Sequence, residues 1–457
     1  MTQTITTINP ATGAELSHYD MMTGDEVNAA IAACHTAFEA WRDRPAAERA
    51  EVIRAIGGAL RARKDELAEL MTAEMGKLVS QCRDEIELCA GICDWTAEQG
   101  PEALADEHRD LVSGGKGIVQ YAPIGVIYGI QPWNFPCYQV VRYSIANLMA
   151  GNSVLLKHAA NVTGSGEMIA EIYRAGGLPD DLFTVLKISH DQSNDVIEHD
   201  LVRGVTLTGS PTAGRTIAER AGRALKKTVL ELGSNDAYIV LEDADISKAV
   251  TQCVLGRVYN NGETCVAAKR FIVVDAIYDR FREAFVEAMQ AVEYGDPMGD
   301  EARIGPMARK DLRDDLHEQV ERSVAGGASI ACGGQVPDGP GYFYPATVLE
   351  DVRPGQPAYD DELFGPVAAL IHAKDEDDAI RIANDSRFGL GGAIFSGDQD
   401  RAIELARKFD TGMVFINGFG LAQPDMPFGG VKDSGYGREH GGFGMKEFVN
   451  VKGISLM

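Results

Sequence analysis

Positive charge is in short supply in this chain: 43 lysines and arginines stand against 68 aspartates and glutamates, a formal charge of −25 over 457 residues. An acidic excess of this size repels phosphate backbones and anionic lipid headgroups, so no nucleic-acid or membrane partner is expected. Any anionic ligand has to be met by a local group of cations or amides. Long apolar runs are missing too. No stretch of about 18 apolar residues occurs, which argues against a membrane span. The first twenty residues, polar and threonine-rich, lack the basic and apolar regions of a secretory signal. The eight cysteines (Cys34, Cys82, Cys89, Cys93, Cys137, Cys253, Cys265 and Cys332) form no CxxC pair. In a chain of this length they read as reduced thiols of the cytoplasm. Cys89 and Cys93 share a helix face but have no histidine beside them, and read as small buried hydrophobes. No HExxH or comparable cluster occurs among the nine histidines, so no metal is expected. The tripeptide Asn161-Val162-Thr163 fits a glycosylation acceptor, a chance match where no secretory signal precedes it.

What is present is ordinary globular material: 45% apolar and 24% charged residues, enough for two or three domains. The first hundred residues have helical periodicity, opened by a capping box at Thr23 and Glu26. From about residue 117 the texture changes. Short β-branched runs at 126–128, 154–156, 205–207 and 229–230 alternate with amphipathic segments, and a second series follows at 238–241, 271–274, 367–371, 393–395 and 413–416. Alternation of this kind predicts βαβ units and parallel sheets, in two lobes divided near Leu232.

Several motifs compete to explain the chemistry. Residues 209–216 approach a phosphate-binding P-loop, but Arg215 stands where that loop needs a lysine, which leaves a nucleotide triphosphatase as a remote alternative. His108-Arg109-Asp110-Leu111 opens like a kinase catalytic loop, yet Gly115 replaces the metal-binding asparagine and no DFG or APE follows. The 209–214 segment still follows an apolar run and opens a helical one. It therefore places Ser210 at a helix N-terminus that suits an anion, or serves only as the turn. Cys265, in the polar turn Asn260-Asn261-Gly262-Glu263-Thr264-Cys265, is either an exposed nucleophile or an incidental loop cysteine. Glu231 interrupts the apolar run Val229-Leu230, where an unpaired carboxylate is costly and burial would raise its pKa toward that of a general base. In Gln131-Pro132-Trp133-Asn134-Phe135-Pro136 two prolines hold an amide that either donates to a developing oxyanion or caps a packed turn.

Taken in order, the segments 132–136, Leu155-Leu156-Lys157, Thr208-Gly209-Ser210, Glu231-Leu232-Gly233, 262–265, 362–366 and 427–430 with 434–438 resemble the aldehyde dehydrogenase superfamily over nearly the whole chain. The resemblance implies an α/β fold of two parallel-sheet lobes with a small β bridging element for oligomerisation. Residues 1–106 and 123–232 would bind the dinucleotide, 233–435 would carry the nucleophile, and 107–122 with 436–457 would form the bridge of a homodimer or homotetramer. It also implies oxidation of a small aldehyde by NAD or NADP, with Cys265 as nucleophile, Asn134 at the oxyanion and Glu231 as the base that hydrolyses the thioester. Lys157 and Glu362 would contact the ribose units, and Ser210 with Gly209 and Gly214 the pyrophosphate. Trp133 and Phe364 would line the cofactor pocket. Ala160 stands where many NAD-specific members carry a glutamate, so NADP is allowed.

Further departures are Ser234 for a glycine, Glu263 for a glutamine and the lack of a glycine-rich turn near 186–191. In its Lys157-His158-Ala159 sequence and in lacking that turn, the chain is similar to a subgroup of bacterial succinate-semialdehyde dehydrogenases. Arg142, nine residues beyond Trp133, would take the substrate carboxylate, although Tyr259 replaces a second arginine of that subgroup. Glutarate semialdehyde and uncharged aliphatic aldehydes are the alternatives.

Overall fold

The structure is a computed structural model and describes residues 3–456. Two α/β sheets dominate it. The first has six strands in the order Gly435–Tyr436, Lys227–Glu231, Val202–Thr208, Val126–Gln131, Ser153–His158 and Phe183–Val185, and only Gly435–Tyr436 runs antiparallel to its neighbour. Its central strands read as continuous apolar runs because both faces are covered. Helices Ala46–Ala62, Val79–Ala103, Tyr138–Ala150 and Thr163–Ala175 supply one face. Helices Gly24–Trp41, His190–Glu198 and Pro211–Arg223 supply the other.

The order of this sheet decides where a ligand can sit. After Val126–Gln131 the chain winds outward through Ser153–His158 and Phe183–Val185, then returns to the other side of Val126–Gln131 with Val202–Thr208. The crevice at the carboxyl ends of these two neighbours is the topological switch point of the sheet. Residues 132–136 leave one strand there and residues 209–210 leave the other.

The second sheet has seven strands, in the order Ser329–Cys332, Thr347–Glu350, Val367–Ala373, Arg270–Val274, Ala237–Val240, Gly392–Phe395 and Phe415–Ile416. It is parallel except at the Ser329–Cys332 edge. A third, antiparallel sheet joins Val449–Leu456, Lys116–Pro123 and Glu107–Asp110. Among the described residues no helix is long and apolar enough to cross a membrane.

Three expectations are corrected. The largely helical first hundred residues begin with a hairpin, Thr4–Ile8 with Glu15–Asp20, whose short polar strands give no apolar period. The two series of apolar runs omit the edge strand Ser329–Cys332 and its inner neighbour Thr347–Glu350, which are short and set among glycines and prolines. Residues 435–436 are neither the end of the second lobe nor the start of the bridge: they pair with Leu230 and Glu231 in the first sheet. Gly435 permits this with a φ of +103°, since a Cβ there would lie 2.0 Å from the Leu230 carbonyl oxygen. Met445 and Phe448, close behind, are buried in the first lobe as well.

A buried ion pair fixes the switch-point loop. Glu85 accepts the backbone N–H groups of Cys137 and Tyr138 at 2.9 and 2.8 Å, where helix Tyr138–Ala150 begins. Its second oxygen pairs with Lys77, whose ammonium lies 3.6 Å from the centre of the Phe135 ring. Removing one partner strands the other charge. Lys77→Ala is expected to lower stability by about 3–5 kcal/mol, measured by equilibrium urea unfolding; a wild-type midpoint and slope would contradict a structural role for the pair.

Candidate active site

Cys265 is presented by a backbone that few residues can adopt. Helix Ile246–Val258 ends, and Asn260, Asn261 and Gly262 follow with φ of 53°, 57° and 75°. Three successive left-handed residues reverse the chain, and Asn and Gly tolerate that region best. Gly262 is also crowded: a Cβ there would lie 2.4 Å from the Gly365 carbonyl. Asn261 anchors the turn by donating to the carbonyls of Gly76 (3.1 Å) and Pro306 (2.9 Å) and accepting from the N–H of Gly305 (2.7 Å).

The same turn is sewn to the switch-point loop. The Asn260 side chain donates to the Asn134 carbonyl at 2.7 Å, and the Asn134 side chain donates to the Glu263 carbonyl at 3.0 Å. The structure thus brings Asn134 and the Cys265 loop together. One of the two amide hydrogens of Asn134 is committed to this contact, and the other remains for a ligand. Glu263 is buried and donor-bonded by Ala308 N–H at 3.0 Å, and its burial pushes the carboxyl well above the usual range. It stands where the resemblance implies a glutamine.

Glu231 ends its strand 2% exposed, with no hydrogen-bond partner for either carboxylate oxygen among the described residues. Gly429 leaves it room, since a Cβ there would come within 2.9 Å of the carboxylate. Burial pushes Glu231 up to about 8, opposed by Arg142 and reinforced by Glu439. Burial likewise pushes the half-buried Cys265 thiol up to about 11; Arg142 and Lys269 pull it down, and Glu231 and Glu362 push it further up. A carboxylate poised near neutrality beside a thiol, with cations behind both, suits base-assisted nucleophilic chemistry.

Arg142 is no solvated surface arginine. Its guanidinium is buried, ion-paired with Glu439, 2.7 Å from the Thr208 hydroxyl, and laid over the rings of Tyr138 and Phe428 at 5.2 and 5.0 Å. Although burial opposes its charge, Glu439 holds its pKa above the ordinary arginine value. Its Nη1 has no hydrogen-bond partner among the described residues. A second carboxylate approaching it would compete with Glu439.

Two cavities flank this centre. A smaller one, of about 250 Å³, is lined by Trp133, Asn134, Gly209, Ser210, Cys265, Glu362 and Phe364, among others. A larger one, of about 540 Å³, includes Lys157, Ala160, His190, Arg309 and Lys310. An apolar partition containing Trp133, Ala159, Ala308, Leu312 and Phe364 lies between them, with Trp133 and Phe364 edge to face at 5.8 Å. The donor set fits a dinucleotide. Ser210 caps helix Pro211–Arg223 by accepting from Ala213 N–H, and Lys157 is 8% exposed, with burial lowering its pKa. Glu362 lines the smaller cavity, with its Oε1 held 3.0 Å from the Lys269 ammonium. Gly214 is corrected: it lines neither cavity, and a Cβ there would meet the Leu232 side chain at 2.5 Å. It is glycine so that the helix can pack on its strand. Among the described residues no cluster of His, Cys, Asp and Glu is arranged to hold a metal ion.

Sequence reasoning missed Thr208, Lys269 and Glu439. Two adjacent cations, Lys269-Arg270, opening an apolar strand were the available signal for Lys269. Glu439 lies one residue past the C-terminal glycine-rich motif and carried none.

Comparison with known proteins places these features in company. The family model described as the aldehyde dehydrogenase family matches residues 1–454. An Escherichia coli (strain K12) protein named succinate semialdehyde dehydrogenase (NAD(P)+) Sad is 45% identical over 447 residues, 98% of this chain and 96% of its own. A Deinococcus radiodurans protein named succinate-semialdehyde dehydrogenase (NADP(+)) is 44% identical, covering 98% of this chain and 93% of its own. Among solved structures, succinic semialdehyde dehydrogenase from Streptococcus pyogenes in complex with NADP+ superposes with a TM-score of 0.97 at 38% identity, over 99% of each chain.

Because burial sets the acidity of Cys265, its alkylation by iodoacetamide is expected to rise about tenfold per pH unit between roughly pH 7 and 9. Peptide mapping by mass spectrometry reads it; a plateau by about pH 8 would contradict a thiol held this high.

Proposed function

Since the chain belongs to the aldehyde dehydrogenase family, we propose that it oxidises succinate semialdehyde to succinate with NAD or NADP as hydride acceptor. The observation that carries this reading is the convergence of Cys265 and the Asn134 loop on one cleft, with the buried Glu231, its oxygens without a hydrogen-bond partner among the described residues, near enough to act on the thiol.

In this mechanism the Cys265 thiolate adds to the aldehyde carbon. The free N–H of Asn134 and the Cys265 backbone N–H stabilise the alkoxide of the resulting thiohemiacetal. A bound nicotinamide supplies the hydride acceptor that leaves a thioester on Cys265. Glu231 takes a proton from water, which attacks the thioester and releases the acid with the Cys265 thiolate as leaving group. Trp133 and Phe364 would flank the nicotinamide end of the cofactor, Glu362 its ribose, Gly209 and Ser210 the pyrophosphate, and Lys157 beside Ala160 the second ribose. The small side chain of Ala160 and the cations Lys157, Arg309 and Lys310 of the larger cavity support acceptance of a 2′-phosphate. The first lobe would therefore be the dinucleotide-binding domain and the second the catalytic one. The exposed apolar side chains Val451, Ile454 and Leu456 on the outer strand of the three-stranded sheet support its role as the contact of a homodimer or homotetramer, acting in the cytoplasm.

The reduced cofactor's absorbance is expected to rise when succinate semialdehyde is added, and Cys265→Ala to abolish the rise. Because Glu231 must be ionised to act, and sits near 8, kcat is expected to climb from about pH 6.5 and level off above about pH 8.5 where deacylation limits turnover. Glu231→Gln should cost about 100-fold or more and remove that inflection; full activity in either variant would refute the role of the residue replaced.

Arg142 and Glu439 test the substrate. If Arg142 meets the distal carboxylate, Arg142→Met should raise KM for succinate semialdehyde by about tenfold or more, with a much smaller change for an uncharged aldehyde of like size. Glu439→Gln, which removes the competitor, should shift the same ratio in the opposite direction. Equal effects on both aldehydes would withdraw the assignment and favour an uncharged or longer substrate.

A further inference from the structure

Lys269 is an ammonium with more acceptors than protons. It is wholly buried, and four oxygens surround its Nζ: Ser234 Oγ at 2.7 Å, Cys265 O at 2.7 Å, Thr264 O at 3.3 Å and Glu362 Oε1 at 3.0 Å. Three N–H groups cannot serve four acceptors equally. Glu362 is the one left over, for Oε1 lies close to the ammonium without a hydrogen bond of acceptable direction. It is also the only side-chain carboxylate of the four, it lines the smaller cavity, and about a fifth of it is exposed. The other three acceptors are buried or belong to backbone, and Ser234 adds a hydroxyl donated to the Cys265 carbonyl. Where the family resemblance implies glycine, this chain has built a fourth acceptor beneath the nucleophile.

We propose that Lys269 is a positioning residue that links Cys265 to the state of the cleft. While Glu362 rests against it, its charge is largely neutralised. When Glu362 turns outward to accept the hydroxyls of the cofactor ribose, the ammonium is left facing the Cys265 loop and favours the thiolate, whose proton leaves to water. This rests on the reading that Glu362 holds that ribose. The groups facing the Cys265 thiol are Arg142, Lys269, Glu231, Glu362 and Tyr138, and those facing the Lys269–Glu362 pair from behind are Asp236 and Arg257. Of these, Glu362 alone combines contact with Lys269 and access to the smaller cavity.

The test is the pH profile of Cys265 alkylation in the full-length protein, with and without saturating NADP+ and with no aldehyde present. In the wild type the oxidised cofactor should lower the apparent thiol pKa, giving about three- to tenfold faster alkylation at a fixed pH below it. Glu362→Gln should show that acceleration with no cofactor. Lys269→Gln should lose the cofactor-induced shift. A full shift in Lys269→Gln, or wild-type alkylation in cofactor-free Glu362→Gln, would overturn the proposal. If Lys269→Gln fails to fold, the Glu362→Gln comparison decides alone. Cofactor affinity, read from tryptophan fluorescence, separates the two levels. Unchanged affinity in Glu362→Gln would overturn the ribose reading beneath the proposal, whereas weakened affinity with an unmoved thiol would overturn the proposal only.

Discussion

The site depends on two amide side chains that stitch one lobe to the other. Asn134 belongs to the loop leaving the first sheet and Asn260 to the turn preceding Cys265 in the second lobe, and each donates to a carbonyl near the other. Neither loop could keep its geometry alone. The first is held from behind by the Lys77–Glu85 pair, and the second by the left-handed turn and by the anchors of Asn261. The Cys265 thiol, the Glu231 carboxylate and the Asn134 amide arrive from different parts of the chain, so their spacing is a property of the interface between the lobes.

Electrostatics explains why so acidic a protein places cations where it does. Coulombic forces on the surface are screened within about a Debye length, while Arg142 and Lys269, both buried, act unscreened on their neighbours. Each is matched to a carboxylate of its own, Glu439 or Glu362. A lone buried ammonium or guanidinium would be costly to maintain in the resting protein. The pairing makes the charge tolerable and also makes it adjustable, because whatever displaces or recruits the carboxylate alters the field at Cys265 and Glu231.

The α/β alternation, the parallel sheets and the order of motifs were legible in the sequence, because buried parallel strands are continuous apolar runs and turn chemistry leaves glycines, prolines and asparagines at fixed places. Cys265, Glu231 and Asn134 could be picked out since each violates its local texture: a thiol in a polar turn, a carboxylate in an apolar strand, an amide between prolines. What stayed hidden depends on distant residues meeting. Arg142 reads in sequence as a free cation, and only the fold reveals Glu439, 297 positions away, against it. Gly214 reads as a phosphate-loop glycine, yet its lack of a side chain serves Leu232. The strand at 435–436 is two residues long, too short for any periodicity, and is specified by the room that Gly435 allows.

That short strand also ties the acidity of Glu231 to a distant stretch of chain. The carboxylate at the end of Lys227–Glu231 is flanked on one side by Gly429, and its strand is paired by residues 435–436. Peeling those two residues from the sheet edge would admit water beside the carboxylate and weaken the burial that raises its pKa, so local opening at 435–436 and protonation of Glu231 are linked.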